Sequence, residues 1–282
     1  MKIRYLGTAA AEGVPSLFCR CDTCKKARER GGREIRTRSQ AIVNDSLLID
    51  FPSDTFSHCT EYGIDLSIVN SCIITHTHGD HTFPWELHHL RKGYSVLPDD
   101  YEGFHLYGSE DISVRFADPV KNTHDRLKIH TVQAFEPFYL CDMKITALKA
   151  THGTDNPYIY MIEDKDSALL YAHDTELFSE ETWAYLKAQN VRFDIVSLDC
   201  TGGAAEDLGP KYSHMYLGRN KECRNMLLEM GLADENTEFI LNHFSHNGLN
   251  VNYKEFCEIV EPLGFTVSYD GRTVITPKRK VN

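Results

Sequence analysis

Thr75-His76-Thr77-His78-Gly79-Asp80-His81 is the stretch whose reading decides the fold. It follows the short apolar run Cys72-Ile73-Ile74 and leads into a segment, 81–92, whose pattern predicts a helix. Side chains alternate along an extended chain, so His76 and His78 are expected on one side of a strand end. Gly79 permits a tight turn, after which Asp80 and His81 would project into the same space from the start of the helix. Imidazole and carboxylate both suit Zn²⁺ and neighbouring divalent ions. Such a density of donors at a strand-to-helix junction favours a two-metal site over a polar loop whose histidines merely hydrogen-bond. Two ions need further ligands, and three later positions each follow an apolar run. They are His152 after 145–150, Asp174 in Tyr171-Ala172-His173-Asp174-Thr175, and His243 after 239–242. Ligands at strand ends are held rigidly, as a catalytic site requires.

Short apolar runs ending near Gly, Asp or His recur along the chain, among them Ala41-Ile42-Val43, Leu47-Leu48-Ile49, Leu169-Leu170-Tyr171, Ile195-Val196-Ser197-Leu198 and Phe239-Ile240-Leu241. Their length and β-branching predict buried strands. Helical stretches are expected at 81–92, 179–190, 215–231 and 253–263, with Gly231 placed to cap the third. Strands alternating with helices imply a layered α/β domain. Residues 93–140 fit this alternation least and are read as loops and short strands forming a loop-rich insertion near the site. No linker or low-complexity tract divides the sequence, so one domain over 1–282 is expected.

The chain has 282 residues, of which 41% are hydrophobic and 11% aromatic, enough for a large packed core and too much for disorder. A formal net charge of −11 argues against a protein whose main business is gripping nucleic acid, because phosphate contacts dominate such affinity. The longest apolar runs fall far short of the ~20 residues of a membrane span. Met1-Lys2-Ile3-Arg4-Tyr5-Leu6-Gly7 reads as a strand and turn, not a signal peptide. The cysteines number nine, an odd count that disfavours a disulfide framework, and a cytoplasmic location is expected.

With His-x-His-x-Asp-His followed by His, Asp and His, the sequence resembles the metallo-β-lactamase superfamily, from its first strand to His243. The resemblance implies an αββα four-layer sandwich with a dinuclear metal site at one edge. It implies His76, His78 and His152 around one ion, Asp80, His81 and His243 around the other, and Asp174 bridging them. Asp at position 174 resembles the hydrolase branches, where lactamases place Cys, and His78 stands where redox-active diiron relatives carry Glu. Asp50, which ends Leu47-Leu48-Ile49, matches a buried aspartate that supports the ligands from behind. Phe51-Pro52 and His173 are bulkier than the family's usual residues and are expected to alter the substrate pocket.

Phe18-Cys19-Arg20-Cys21-Asp22-Thr23-Cys24 offers three thiolates that can wrap one metal but need a fourth ligand for tetrahedral Zn²⁺. Free thiols or a redox pair are the plainer reading of such a loop. His246 lies three residues after His243, so its loop is beside the expected site. The segment 7–15 running into these cysteines resembles the PhnP-type phosphoribosyl cyclic phosphodiesterases, in which a Cys₃His zinc is structural. This implies Cys19, Cys21, Cys24 and His246 as a structural zinc site. The pyrroloquinoline-quinone biosynthesis B proteins share part of the same pattern. In phosphodiesterase branches an element such as Ser213-His214-Met215 supplies a histidine that reaches the leaving group; for His214 the plainer reading is a helix-cap residue.

Other residues take blander readings. His88 and His89 are expected to be exposed, His58, His105, His124 and His130 fit no ligand pattern, and the charge-rich stretch 25–38 is a solvated face or a source of Arg for an anionic substrate. Two cations (Zn or Mn) would lower the pKa of a bridging water from about 15.7 towards ~7 and supply hydroxide at neutral pH. The expected reaction is hydrolysis of a small phosphodiester, with cyclic ribose phosphates among the candidates, through a metal-bridging hydroxide, with His214 and Asp80 as catalytic residues. A homodimer is compatible with this reading, while nucleic acid and membranes are not expected partners. The rivals are a tRNA 3′-processing enzyme, a glyoxalase II-type thioesterase, and a quinone-cofactor-biosynthesis-like or metal-stabilised binding protein without turnover.

Overall fold

Alternation of side chains in short β-branched runs lets one strand serve two cores, and the computed structural model, which describes residues 1–209, 213–249 and 251–276, shows this throughout. Strands β1 (Lys2–Gly7), β2 (Gln40–Val43), β3 (Leu47–Ile49), β4 (Ser71–Ile73), β5 (Phe104–Gly108) and β6 (Leu127–Thr131) enter the first sheet. Strands β7 (Pro137–Leu140), β8 (Met143–Lys149), β9 (Tyr158–Glu163), β10 (Ala168–Ala172), β11 (Ile195–Asp199), β12 (Glu238–Asn242) and β13 (Phe265–Val267) form the second, and β14 (Thr273–Ile275) returns to the first. The spatial orders are β14-β1-β2-β3-β4-β5-β6 and β13-β12-β11-β10-β9-β8-β7.

Ala41, Val43, Leu47, Ile49 and Ile73 face Leu169, Tyr171, Ile195 and Ile240 between the sheets. Their neighbours Ile42, Leu48 and Cys72 turn outward to a second core with Ile112 and Phe116, from α3 (Asp111–Arg115) and the residue that follows it. On the other outer face, Leu170 and Val196 meet Trp183, Leu227 and Phe256. These belong to α5 (Glu180–Gln189), α6 (Leu217–Glu229) and α7 (Tyr253–Val260); α1 (Asp22–Arg30), α2 (Thr55–Tyr62) and α4 (Ala117–Asn122) precede them in the chain. Helix, sheet, sheet, helix is the αββα arrangement the resemblance implied. Among the described residues no helix is long and apolar enough to cross a membrane.

Two expectations change. The stretch 93–140 is woven into both sheets, because β5 and β6 pair in parallel with β4 and β5 while β7 pairs with β8. Its strands are separated by short helices α3 and α4, which blurs the periodicity. The helix expected over 81–92 is a 3₁₀ helix at Pro84–Leu90 only. Pro84 disfavours helical backbone at Phe83, so Asp80 and His81 lie on a turn before it. That turn is closed by His81 N–H and Thr82 N–H, both donating to the His78 carbonyl.

Candidate metal centre

Strand direction gathers the donors. β10, β11 and β12 run parallel, and β8 runs the same way because β9 is antiparallel to both β8 and β10. Their C-terminal ends carry His152, Asp174, Asp199 and His243 to one edge. The Tyr158 N–H donates to the Thr75 carbonyl at 2.8 Å and the Tyr160 hydroxyl to the Ile74 carbonyl at 2.7 Å, fastening the first sheet's His76–His81 turn to that edge.

The donors form two clusters. His76 Nε2 lies 3.0 Å from His78 Nδ1, which lies 3.2 Å from His152 Nε2. In the second, His81 Nε2 is 3.1 Å from Asp80 Oδ2 and 2.7 Å from Asp174 Oδ2, and His243 Nε2 is 2.7 Å from that same oxygen. The other Asp174 oxygen faces His152 Nε2 at 3.6 Å, so one carboxylate touches both clusters. His81 Nε2, His243 Nε2 and Asp174 Oδ2 are buried without a hydrogen-bond partner among the described residues. Orphaned atoms converging at such distances fit a cation between them, since buried polar groups otherwise find partners.

The far side of each ring is tied. His81 Nδ1 meets Asp50 Oδ2 at 2.7 Å, His243 Nδ1 meets Thr201 Oγ1 at 2.9 Å, and His76 Nδ1 meets Thr75 Oγ1 at 3.1 Å. Donating to Asp50 commits the His81 lone pair to Nε2, inside the site. Asp50 also accepts from the Thr75 N–H and hydroxyl, as the sequence implied for its supporting role. Asp50, Asp174 and His243 adopt left-handed backbone (φ 67, 50 and 61), a local cost of about 1–2 kcal/mol each that the surrounding packing must override.

The clusters differ electrically. Burial pushes His76 and His152 down, so these two tend to stay neutral and ready to ligate. Burial would raise Asp80 and Asp174, but His81 beside the one and His243 and His81 beside the other hold both below the ordinary carboxylate range. Burial would lower His81 and His243, yet the facing Asp174 raises both. A cation entering the second cluster must therefore displace protons.

His214 stands at the rim, its ring 4.9 Å from that of His152, with Nδ1 donating to Asp199 Oδ2 at 3.0 Å. Burial would lower it, but Asp199 raises it to about 9. Asp199 is fully buried and also accepts from the Thr201 N–H at 2.9 Å. Sequence reasoning placed Asp199 only as a strand end, although it closes an apolar run in the same manner as Asp50 and Asp174. The 200–203 turn lies against the loop after His243 so closely that a Cβ on Gly203 would fall 2.2 Å from the Gly248 carbonyl oxygen.

Cys19, Cys21, Cys24 and His246 also converge, with Cys21 Sγ and Cys19 Sγ at 3.5 and 3.6 Å from His246 Nδ1 and all four donor atoms within 4.8 Å of one another. Cys21 caps α1, and Arg28 donates to the Cys19 and Ser16 carbonyls, closing the loop. The Ala10 N–H donates to the Phe244 carbonyl, joining the segment ahead of this loop to the His243 segment. The two bulky departures do not reach the pocket as expected. His173 is buried between the sheets against Ser197 and Asn242, and Phe51 packs on Phe104 in the outer core. His88 is half-buried, 3.2 Å from Asp118, where exposure was expected. Arg36, from the charged stretch 25–38, turns inward to Thr8 and the Ser268 carbonyl, so it offers nothing to a substrate.

No curated protein matches the chain by sequence. Similar solved structures include a new diphosphatase from the PhnP family, at 20% identity and TM-score 0.69 over 98% of this chain and 98% of that one. Zn(2+)-bound PqqB from Methylobacterium extorquens is similar at 20% identity and TM-score 0.73, over 98% and 100%. The short form of human tRNase Z is similar at 15% identity and TM-score 0.65, over 98% and 100%. At these identities the likeness is one of fold. The family described as "Beta-lactamase superfamily domain" matches residues 51–244, a span that holds both active-site donor clusters from His76 to His243, and the chain belongs to that superfamily, with the metallo-β-lactamase fold.

Proposed function

We propose that the chain is a metal-dependent phosphodiesterase that hydrolyses a small phosphodiester, cyclic ribose phosphates included. The observation that carries the reading is His214, set by the buried Asp199 beside two adjoining donor clusters that share Asp174. His76, His78 and His152 would hold one divalent ion (Zn or Mn), Asp80, His81 and His243 the other, and Asp174 both; Cys19, Cys21, Cys24 and His246 would hold a structural zinc. When bound, the paired ions lower the pKa of water from about 15.7 towards ~7 and offset charge on phosphoryl oxygens.

Asp199 accepts from His214 Nδ1, which leaves Nε2 as the nitrogen that hands a proton to the departing alkoxide. Asp50 and Thr201 keep the His81 and His243 rings aimed inward. The names of the diphosphatase and tRNase Z structures support phosphoryl chemistry, whereas the PqqB likeness supports the rival without hydrolytic turnover. The test is metal-reconstituted protein, its metal content measured, assayed on bis(p-nitrophenyl) phosphate, p-nitrophenyl phosphate and a thioester. Preferred diester hydrolysis is expected. Faster monoester or thioester turnover, or no diester turnover with metals loaded, overturns the reading.

A further inference from the structure

Behind the second cluster lies a polar knot that the chemistry above does not use. Arg36 is 4% exposed, and its Nη1 donates to the Ser268 carbonyl and to Thr8 Oγ1, both at 2.8 Å. Each contact leads to a neighbour of His243. The Ser268 N–H donates to the Leu241 carbonyl at 3.0 Å and its hydroxyl to Asn242 Oδ1, so Ser268 holds the chain that enters His243. The Thr8 carbonyl accepts from the Phe244 N–H at 2.9 Å, and the Arg36 guanidinium lies 4.3 Å from the Phe244 ring centroid. The chain that leaves His243 is therefore held as well.

The knot also runs to His81. The Thr8 hydroxyl accepts from Arg36 and donates to Asp270 Oδ1 at 2.6 Å. Asp270 Oδ2 lies 2.6 Å from Thr37 Oγ1, which lies 2.7 Å from His58 Nε2. His58 Nδ1 donates to Gln40 Oε1 at 2.6 Å, and Gln40 Nε2 donates to the Asp50 carbonyl at 2.9 Å. Asp50 is the residue whose carboxylate aims His81. One hydrogen-bonded path thus joins the backs of His81 and His243, whose Nε2 atoms meet at Asp174 Oδ2. An apolar side chain of like volume would fill the Arg36 space at a lower desolvation cost. What the guanidinium adds is direction, because its planar fork donates at fixed angles.

We propose that Arg36 is a positioning residue for the second cluster, setting through Thr8 and Ser268 where His243 stands relative to His81. The inference rests on the ligand assignment made above. A cation there needs both imidazoles within reach of one point, so slack behind either ring weakens binding. The three-histidine cluster takes no ligand from the segment that Arg36 grips, so it should be spared.

The test is cadmium NMR on the full chain, in which each bound cadmium gives its own resonance and a competing chelator ranks the sites. Resonances are assigned with His78→Ala and His81→Ala. Arg36→Met and Thr8→Val should each weaken the second cluster about tenfold relative to the three-histidine cluster, the lower end of the usual effect of losing an outer partner. Thr8→Ser, which keeps the hydroxyl, should restore wild-type affinity. An equal fall in both clusters that tracks the melting temperature, or no fall, overturns the proposal and leaves Arg36 a packing residue. Should Arg36→Met fail to fold, Thr8→Val and Thr8→Ser decide alone. Wild type without cadmium at the second cluster overturns the ligand assignment and this proposal together. Wild type that loads both clusters but hydrolyses no diester overturns only the phosphodiesterase reading.

Discussion

Stripping metal from the Cys19, Cys21, Cys24 and His246 cage with a chelator should uncover one cysteine that is already a thiolate at neutral pH. Burial works to raise Cys21, but donation from the Cys24 N–H and contact with His246 and Cys19 outweigh it, bringing it from 9.0 to about 6. Burial dominates at Cys24 and pushes it up to about 11. At pH 7.5 a thiol of pKa about 6 is ionised ~30-fold more than one of about 9. Lower basicity also weakens the nucleophile, by about 20–30-fold over three powers of ten. The two effects cancel there, so one rate at pH 7.5 decides nothing. Near pH 6 the ionised fraction is about 500-fold larger, and a net advantage of about 20-fold survives. The assay is therefore pH-resolved alkylation by iodoacetamide, read by peptide mass spectrometry in stripped and zinc-reloaded protein. Labelling of Cys21 in stripped protein should level off above about pH 7, while that of Cys24 is still climbing at about pH 9. Zinc should suppress both. A Cys21 midpoint near that of an ordinary thiol, or labelling indifferent to zinc, refutes the reasoning.

Asp174→Ala should lower the metal content of both active-site clusters at once, since its two oxygens face different histidines; elemental analysis showing full loading would sink the shared-ligand assignment. Asp199→Asn and His214→Ala should each cost about 10²–10⁴-fold on a ribose cyclic phosphate and far less on a p-nitrophenyl diester, whose leaving group needs no proton. The double variant should lose little more than either single one, and equal losses on both substrates would instead mean a binding or folding role. His173→Ser should cost about 2–4 kcal/mol in urea unfolding, because it opens a void between Tyr171 and Ser197; a change below about 1 kcal/mol would show that the ring is not a packing element.

The ligand-type residues were legible because their signal is local. His76 to His81 sit within one turn of chain, and Asp50, Asp174 and His243 each close an apolar run whose strand character needs no tertiary knowledge. The alternation that splits Ile42 and Leu48 from Ala41 and Ile49 is likewise written in consecutive residues, but on its own it implied only a layered α/β domain; the two-sheet sandwich came from the family resemblance and is seen in the structure. Residues 93–140 were harder because β5 and β6 draw their stability from parallel partners far along the chain, with little pattern of their own. Only the tertiary structure decided that Asp199 holds His214 and that Arg36 and Asp270 share the Thr8 hydroxyl. Only it turned His173 and Arg36 into the core and away from the mouth. Periodicity fixes which face of an element is buried; which side chain meets which across a loop depends on how distant elements close on one another, and that distance is not encoded in any short window of sequence.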